Sequence, residues 1–116
     1  VIVHHVGRDG SVVDGIGRAV DGLPIAEGAT LVDVGRTELL SAIVYQLADG
    51  SADPQPLHDQ DEAYVVIAGR ATAVVGDDTT DVTAGSVLIV PAGTPHRFVD
   101  PCNGFSVVAV FAPPLA

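Results

Sequence analysis

Short apolar runs, broken every several residues by Gly, Pro or Asp, constrain the fold of this chain more than any other feature. Runs of that length between turn residues read as strands of an antiparallel barrel or sandwich. The residue types agree. Hydrophobic residues make up 47% of the chain and aromatics only 4%, with valine carrying much of the difference. Branched side chains lose freedom in a helix and sit well on a pleated sheet. Strands are predicted near Ile2–Val6, Thr30–Val34, Leu40–Leu47, Ala63–Ala68, Ala71–Val75, Thr79–Thr83, Ser86–Val90, Arg97–Val99 and Phe105–Phe111. Gly69-Arg70 and Gly76-Asp77-Asp78 are the expected hairpin turns, because Gly adopts backbone angles that other residues avoid. Residues 7 to 29 hold six glycines and predict loop with one short strand; Gly15 and Gly17 argue against a helix across Val12–Val20.

At 116 residues, with no repeat or linker, the chain is expected to form a single all-β domain over residues 1–116. No apolar run approaches the roughly 20 residues that cross a bilayer. No basic segment leads into an apolar stretch as in a secretory signal, and a cytoplasmic location is expected. The net charge is -10, and the cations are Arg8, Arg18, Arg36, Arg70 and Arg97, scattered singly. A surface that binds phosphates needs clustered cations, so neither nucleic acid nor an anionic membrane is an expected partner. Cys102 is the only cysteine, which excludes an internal disulfide; it sits in a turn-like Asp100–Gly104 segment with no neighbouring histidine.

Ser86–Val90 and Phe105–Phe111 are apolar on both faces rather than alternating. Both faces of such strands are expected to be covered. One would fill a barrel interior and the other would meet a second subunit, which predicts a homodimer. The alternative cover is the chain's own N-terminal arm.

Two segments carry the chemistry. Gly50 to Gly69 contains His58 and Glu62, and Gly85 to His96 is a strand ending in a Pro/Gly turn with a second histidine. Two imidazoles and a carboxylate converging in a β-rich chain suit a divalent metal with open coordination positions.

These segments resemble the paired motifs of the cupin superfamily, small antiparallel jelly-roll barrels that often hold a metal. The first family motif reads Gly, five residues, His-x-His, three or four residues, Glu, six residues, Gly. Here Gly50, His58, Glu62 and Gly69 fall at those spacings, with Pro56 where the first His belongs. The second motif is matched by Gly85, Pro91-Ala92-Gly93 and His96, with Asp100 in place of Asn. The resemblance implies a jelly-roll β-barrel and a ligand set of His58, Glu62 and His96, Pro56 being unable to bind a metal. Iron, manganese, nickel, cobalt and zinc all suit such donors. The superfamily spans oxygenases, lyases, isomerases, cyclases and non-catalytic binding domains, so the fold does not choose among them.

Around this set, Gln60 is a candidate weak oxygen ligand. Tyr64 and Phe98 lie two residues beyond Glu62 and His96 and should line the same cavity. Tyr64 is a candidate catalytic group beside Glu62, its hydroxyl placed to orient or protonate a small organic substrate. Of Tyr45 and Gln46 only one can face inward. His4 and His5 point to opposite faces of a strand and cannot chelate one ion. Arg97 should point away from His96. The expected activity is that of a metal-dependent enzyme on a small molecule. The alternatives are a non-catalytic ligand-binding domain and metal-free acid/base chemistry by Glu62 and a histidine.

Overall fold

The computed structural model describes residues 2–54 and 59–115; Pro56 and His58 lie outside the described residues. Among the described residues every regular element is a strand: β1 (His4–Val6), β2 (Val12–Asp14), β3 (Leu23–Ala26), β4 (Ala29–Arg36), β5 (Ser41–Leu47), β6 (Asp61–Val75), β7 (Asp78–Thr83), β8 (Val87–Val90) and β9 (His96–Ala112). All pairings are antiparallel. No described helix is long and apolar enough to cross a membrane.

The architecture grows from β6 and β9, which pair along their whole lengths from Asp61↔Ala112 to Val75↔His96. The first half of β6 lies between β8 and the second half of β9, which continues through β5 and β4 to β3. The second half of β6 lies between β7 and the first half of β9. One long ribbon therefore folds over itself and contributes to both layers of a jelly-roll barrel.

The fold-over is visible in the register, which shifts repeatedly between Val66 and Thr72. Gly69 sits there with a φ of 70°. A Cβ at this position would lie 2.5 Å from the Cys102 carbonyl oxygen and 2.7 Å from the Phe105 backbone. Opposite it, Asp100 and Asn103 also adopt positive φ. Gly69-Arg70 is therefore not the expected hairpin turn. The chain bends without reversing, so the two strands expected on either side of it are the single β6. Arg97–Val99 and Phe105–Phe111 likewise merge into β9 through the bulged Asp100–Gly104 segment. The hairpin at Gly76-Asp77 forms as expected, closing Val75 onto Asp78. Residues 7 to 29 hold two short strands, β2 and β3, rather than one.

The barrel interior is a single cluster drawn from both layers. Ile43, Tyr45, Leu47, Tyr64, Val66, Phe105, Val107 and Phe111 come from the first, and Ala71, Ala73, Val82 and Phe98 from the second. Phe98 bridges them, edge-on to Tyr64 at 5.2 Å and to Phe105 at 4.9 Å between ring centroids. A second, smaller cluster lies outside the barrel, where Val12 packs with Val32 and Val44 on the outer face of β4 and β5. The N-terminal β1–β2 hairpin thus covers part of the apolar outer face. Further along that face, Val87 and Ile89 of β8 remain 65% and 70% exposed.

Candidate functional site

Glu62 and Tyr64 stand near the start of β6 and, being two residues apart, share its inner face. Glu62 pairs with Phe111 and Val90, and Tyr64 with Ala109 and Leu88, so both are enclosed on either side by neighbouring strands. His96 opens β9, directly after a turn in which the Thr94 amide donates to the Pro91 carbonyl at 3.2 Å. In the ladder His96 pairs with Val75, at the far end of β6 from Glu62. Only the fold-over at Gly69 brings the two ends face to face.

The three groups meet closely. His96 Nε2 lies 3.0 Å from Glu62 Oε2 and 3.0 Å from the Tyr64 hydroxyl. That hydroxyl also donates to Glu62 Oε2. The cluster is buried: the His96 and Glu62 side chains are 5% and 1% exposed. The ring of His96 is held by its other nitrogen, since Nδ1–H donates to the Thr94 carbonyl at 2.8 Å. A carbonyl can only accept, so this contact leaves Nε2 facing Glu62 and Tyr64. The hydrogen bond with Glu62 raises the His96 pKa above the ordinary imidazole value. Burial opposes that rise, while the Thr94 carbonyl and the charges of Glu62 and Asp53 add to it.

Asp53 is a part of the site that sequence reasoning missed. Its Oδ1 accepts from the Tyr45 hydroxyl at 2.5 Å and its Oδ2 from the Phe98 amide at 2.8 Å. One carboxylate thus ties the segment before the first-motif histidine to β5 and to β9 beside His96. Burial, followed by the Asp53 hydrogen bond, drives the Tyr45 phenol far above its usual pKa, so it stays a donor. Tyr45 is the inward member of its pair. Gln46 turns outward, its amide nitrogen donating to the Gly10 carbonyl and its oxygen accepting from Thr30 at 2.9 Å.

Of the other sequence candidates, Gln60 donates to the Pro114 carbonyl at 3.3 Å and does not join the cluster. Asp61 accepts from the Ala92 amide at 2.8 Å, pinning the start of β6 to the turn that delivers His96. His4 and His5 belong to β1, which pairs only with β2 among the described strands. Arg97 is exposed and, with Asp53, Val74, Gly76, Pro95 and His96, lines a surface cleft of about 470 Å³. Along β9 the side chains alternate, so Arg97 turns to the face opposite His96 while both residues border that cleft.

His58 lies outside the described residues, and among those described no three His, Cys, Asp or Glu side chains gather as a metal-binding group. The pair that is described fits a metal nevertheless. Two ligands with bonds of about 2.1 Å at right angles lie about 3.0 Å apart. The 3.0 Å between His96 Nε2 and Glu62 Oε2 is near that separation and is equally the length of the hydrogen bond they make with each other. A carbonyl partner on the remote ring nitrogen is the usual support of a ligating histidine.

Comparison with known proteins agrees with the fold. Residues 43–111, more than half of the chain, match the family model described as Cupin domain. An uncharacterized protein of Streptomyces coelicolor is 44% identical over 79 residues, covering 68% of this chain and 75% of that one. Among solved structures, KdgF from Halomonas sp. superposes with a TM-score of 0.75 at 20% identity, over 81% of this chain and 86% of that one. An RmlC-like cupin from Shewanella frigidimarina gives 0.73 at 22% identity, over 80% and 83%. Salicylate 1,2-dioxygenase from Pseudaminobacter salicylatoxidans gives 0.68 at 17% identity, over 75% of this chain and 27% of that larger one. At such identities the likeness speaks for the fold alone. Motif spacing, the jelly-roll barrel and the family match together make this chain a member of the cupin family.

Proposed function

We propose that this cupin is an enzyme acting on a small organic molecule through a divalent transition metal held by Glu62, His96 and His58. The observation that carries the reading is the buried Glu62–His96 pair, 3.0 Å apart, with the imidazole already aimed by Thr94. A bound ion would supply Lewis acidity toward a carbonyl or enolate oxygen, or a site for dioxygen, serving lyase, isomerase, cyclase or oxygenase chemistry. The chain's own residues do the rest. Tyr64 and Phe98, both buried, keep water from the inner side of the pair. Asp53 holds Tyr45 and the Phe98 amide, fixing the strand that presents His96. The cleft bordered by His96 and Arg97 is the entry for substrate.

The test is elemental analysis of protein purified without a metal-affinity tag, beside Glu62→Gln and His96→Ala, with thermal unfolding to show that the variants fold. Near-stoichiometric metal in the parent and none in the folded variants is expected. A parent protein that takes up none of the five candidate metals sinks the proposal.

A second reading has its own observation. The Tyr64 hydroxyl donates to Glu62, and both touch His96, so a metal-free site still holds a proton between the phenol and the carboxylate with the imidazole beside them. That arrangement suits general acid/base catalysis by Glu62 and Tyr64. Activity that survives full metal removal and vanishes in Glu62→Gln would favour it.

A further inference from the structure

Pro56 leaves one ligand position of the first motif without a donor. We propose that Tyr64 fills a position in the metal's coordination sphere, its phenol oxygen binding the ion beside Glu62 Oε2 and His96 Nε2. The inference rests on the metal reading of Glu62 and His96 and extends it to a residue outside both motif ligand sets.

Three features of Tyr64 support it. Its hydroxyl contacts both described donor atoms, Glu62 Oε2 and His96 Nε2, the latter at 3.0 Å. A phenol oxygen, a carboxylate oxygen and an imidazole nitrogen thus converge at one place in the barrel interior. The ring is also fixed. Tyr64 is 1% exposed and packs edge-on to Phe98, so its oxygen is held against the pair rather than swinging toward solvent. Lastly, the position follows from strand geometry: residues 62 and 64 share the inner face of β6, whose start is anchored through Asp61 to Ala92. On binding, an oxygen–metal bond forms, the phenol O–H bond breaks, and its proton leaves to solvent. The hydrogen bond from Tyr64 to Glu62 is exchanged for a shared ion. Such a site is more oxygen-rich than the three-histidine, one-glutamate set of the family motifs and so is better suited to hard ions such as iron(III) and manganese(II) than that set is.

The experiment loads the metal-free full chain with iron(III), comparing wild type with Tyr64→Phe, and repeats the titration with manganese(II) to obtain affinities. Phe keeps the ring that packs against Phe98, and thermal unfolding checks that the variant folds. The expected result is a visible phenolate-to-iron charge-transfer band in wild type that is absent from Tyr64→Phe, together with a roughly tenfold or greater loss of manganese affinity. If wild type binds metal without the band and Tyr64→Phe binds equally well, Tyr64 ligation is overturned while the Glu62–His96 site stands. A loss of affinity in Tyr64→Phe with no band in wild type also overturns ligation and leaves Tyr64 a hydrogen-bond neighbour of the ligands. Wild type that binds neither ion overturns Tyr64 ligation, and the metal reading falls with it only if nickel, cobalt and zinc are refused as well.

Discussion

The two layers of the barrel share one interior but present opposite outer faces. On the first, Ala42, Val44, Ala63, Val65, Val87, Ile89, Val108 and Val110 line up across β5, β9, β6 and β8. On the second, the outward residues include Arg70, Thr72, Arg97, Asp81 and Thr83, and Thr72 donates to Asp81 at 3.1 Å. The second face is written for water. The first is written for cover, yet its cover is uneven: Val44 is wholly buried beneath the β1–β2 hairpin, while Ile89 is 70% exposed. Apolar alternation in a strand thus states that a face is to be buried and leaves open what buries it. At the β8 end a second copy of the chain, the homodimer expected from the sequence, is the occupant to test.

The largest effect should come from the corner that separates the layers. Gly69→Val puts a branched side chain 2.5 Å from the Cys102 carbonyl at a positive φ. Left-handed strain and overpacking each cost about 1–3 kcal/mol, so denaturant unfolding should show a loss of roughly 3 kcal/mol or an unfolded chain. A near-neutral result would mean the ribbon bends elsewhere.

Next, the covered and uncovered parts of the first face can be set against each other. Val44→Ala should cost about 2 kcal/mol through lost burial and a cavity. Ile89→Thr should cost less than about 0.5 kcal/mol when the protein is dilute. If the β8 end is an interface between copies, the Ile89→Thr penalty will grow with protein concentration, and Ile89→Glu will yield monomers in sedimentation. Equal penalties at every dilution would show that the chain itself covers Ile89.

A smaller effect follows pH in the metal-free protein. The folded His96 pKa is raised above its unfolded value, so its contribution to stability is complete below that unfolded value, about 6.5. The contribution is lost as pH rises through the higher folded pKa. Chemical-shift titration of His96 should place its midpoint above 6.5, and Glu62→Gln should lower it by removing the largest cause. An unchanged midpoint in that variant would separate the two side chains. The smallest effect is expected on the water-facing layer, where Thr72→Val removes an exposed hydrogen bond and should stay within about 0.5 kcal/mol.

Much of the site was legible before any coordinates. The spacing of Gly85, Pro91, Gly93 and His96 announced a strand and a turn that deliver an imidazole, and the two-residue period put Glu62 and Tyr64 on one face. What misled was Gly69. A glycine at positive φ serves a hairpin turn and a bulge equally well, and local sequence cannot say whether the chain reverses or merely bends. Asp53 was illegible for a related reason: its partners, Tyr45 and Phe98, lie 8 and 45 residues away.

By itself, then, the sequence determined the all-β class, the shared inner face of Glu62 and Tyr64 and the donors present, because these follow from side-chain period and turn chemistry within a few residues. Only the tertiary structure decided that Glu62 and His96, at opposite ends of the β6–β9 ladder, should meet at 3.0 Å with Tyr64 between them. That meeting depends on folding a ribbon over one glycine, and the register shift and close backbone approach that allow it are properties of paired strands rather than of either strand alone.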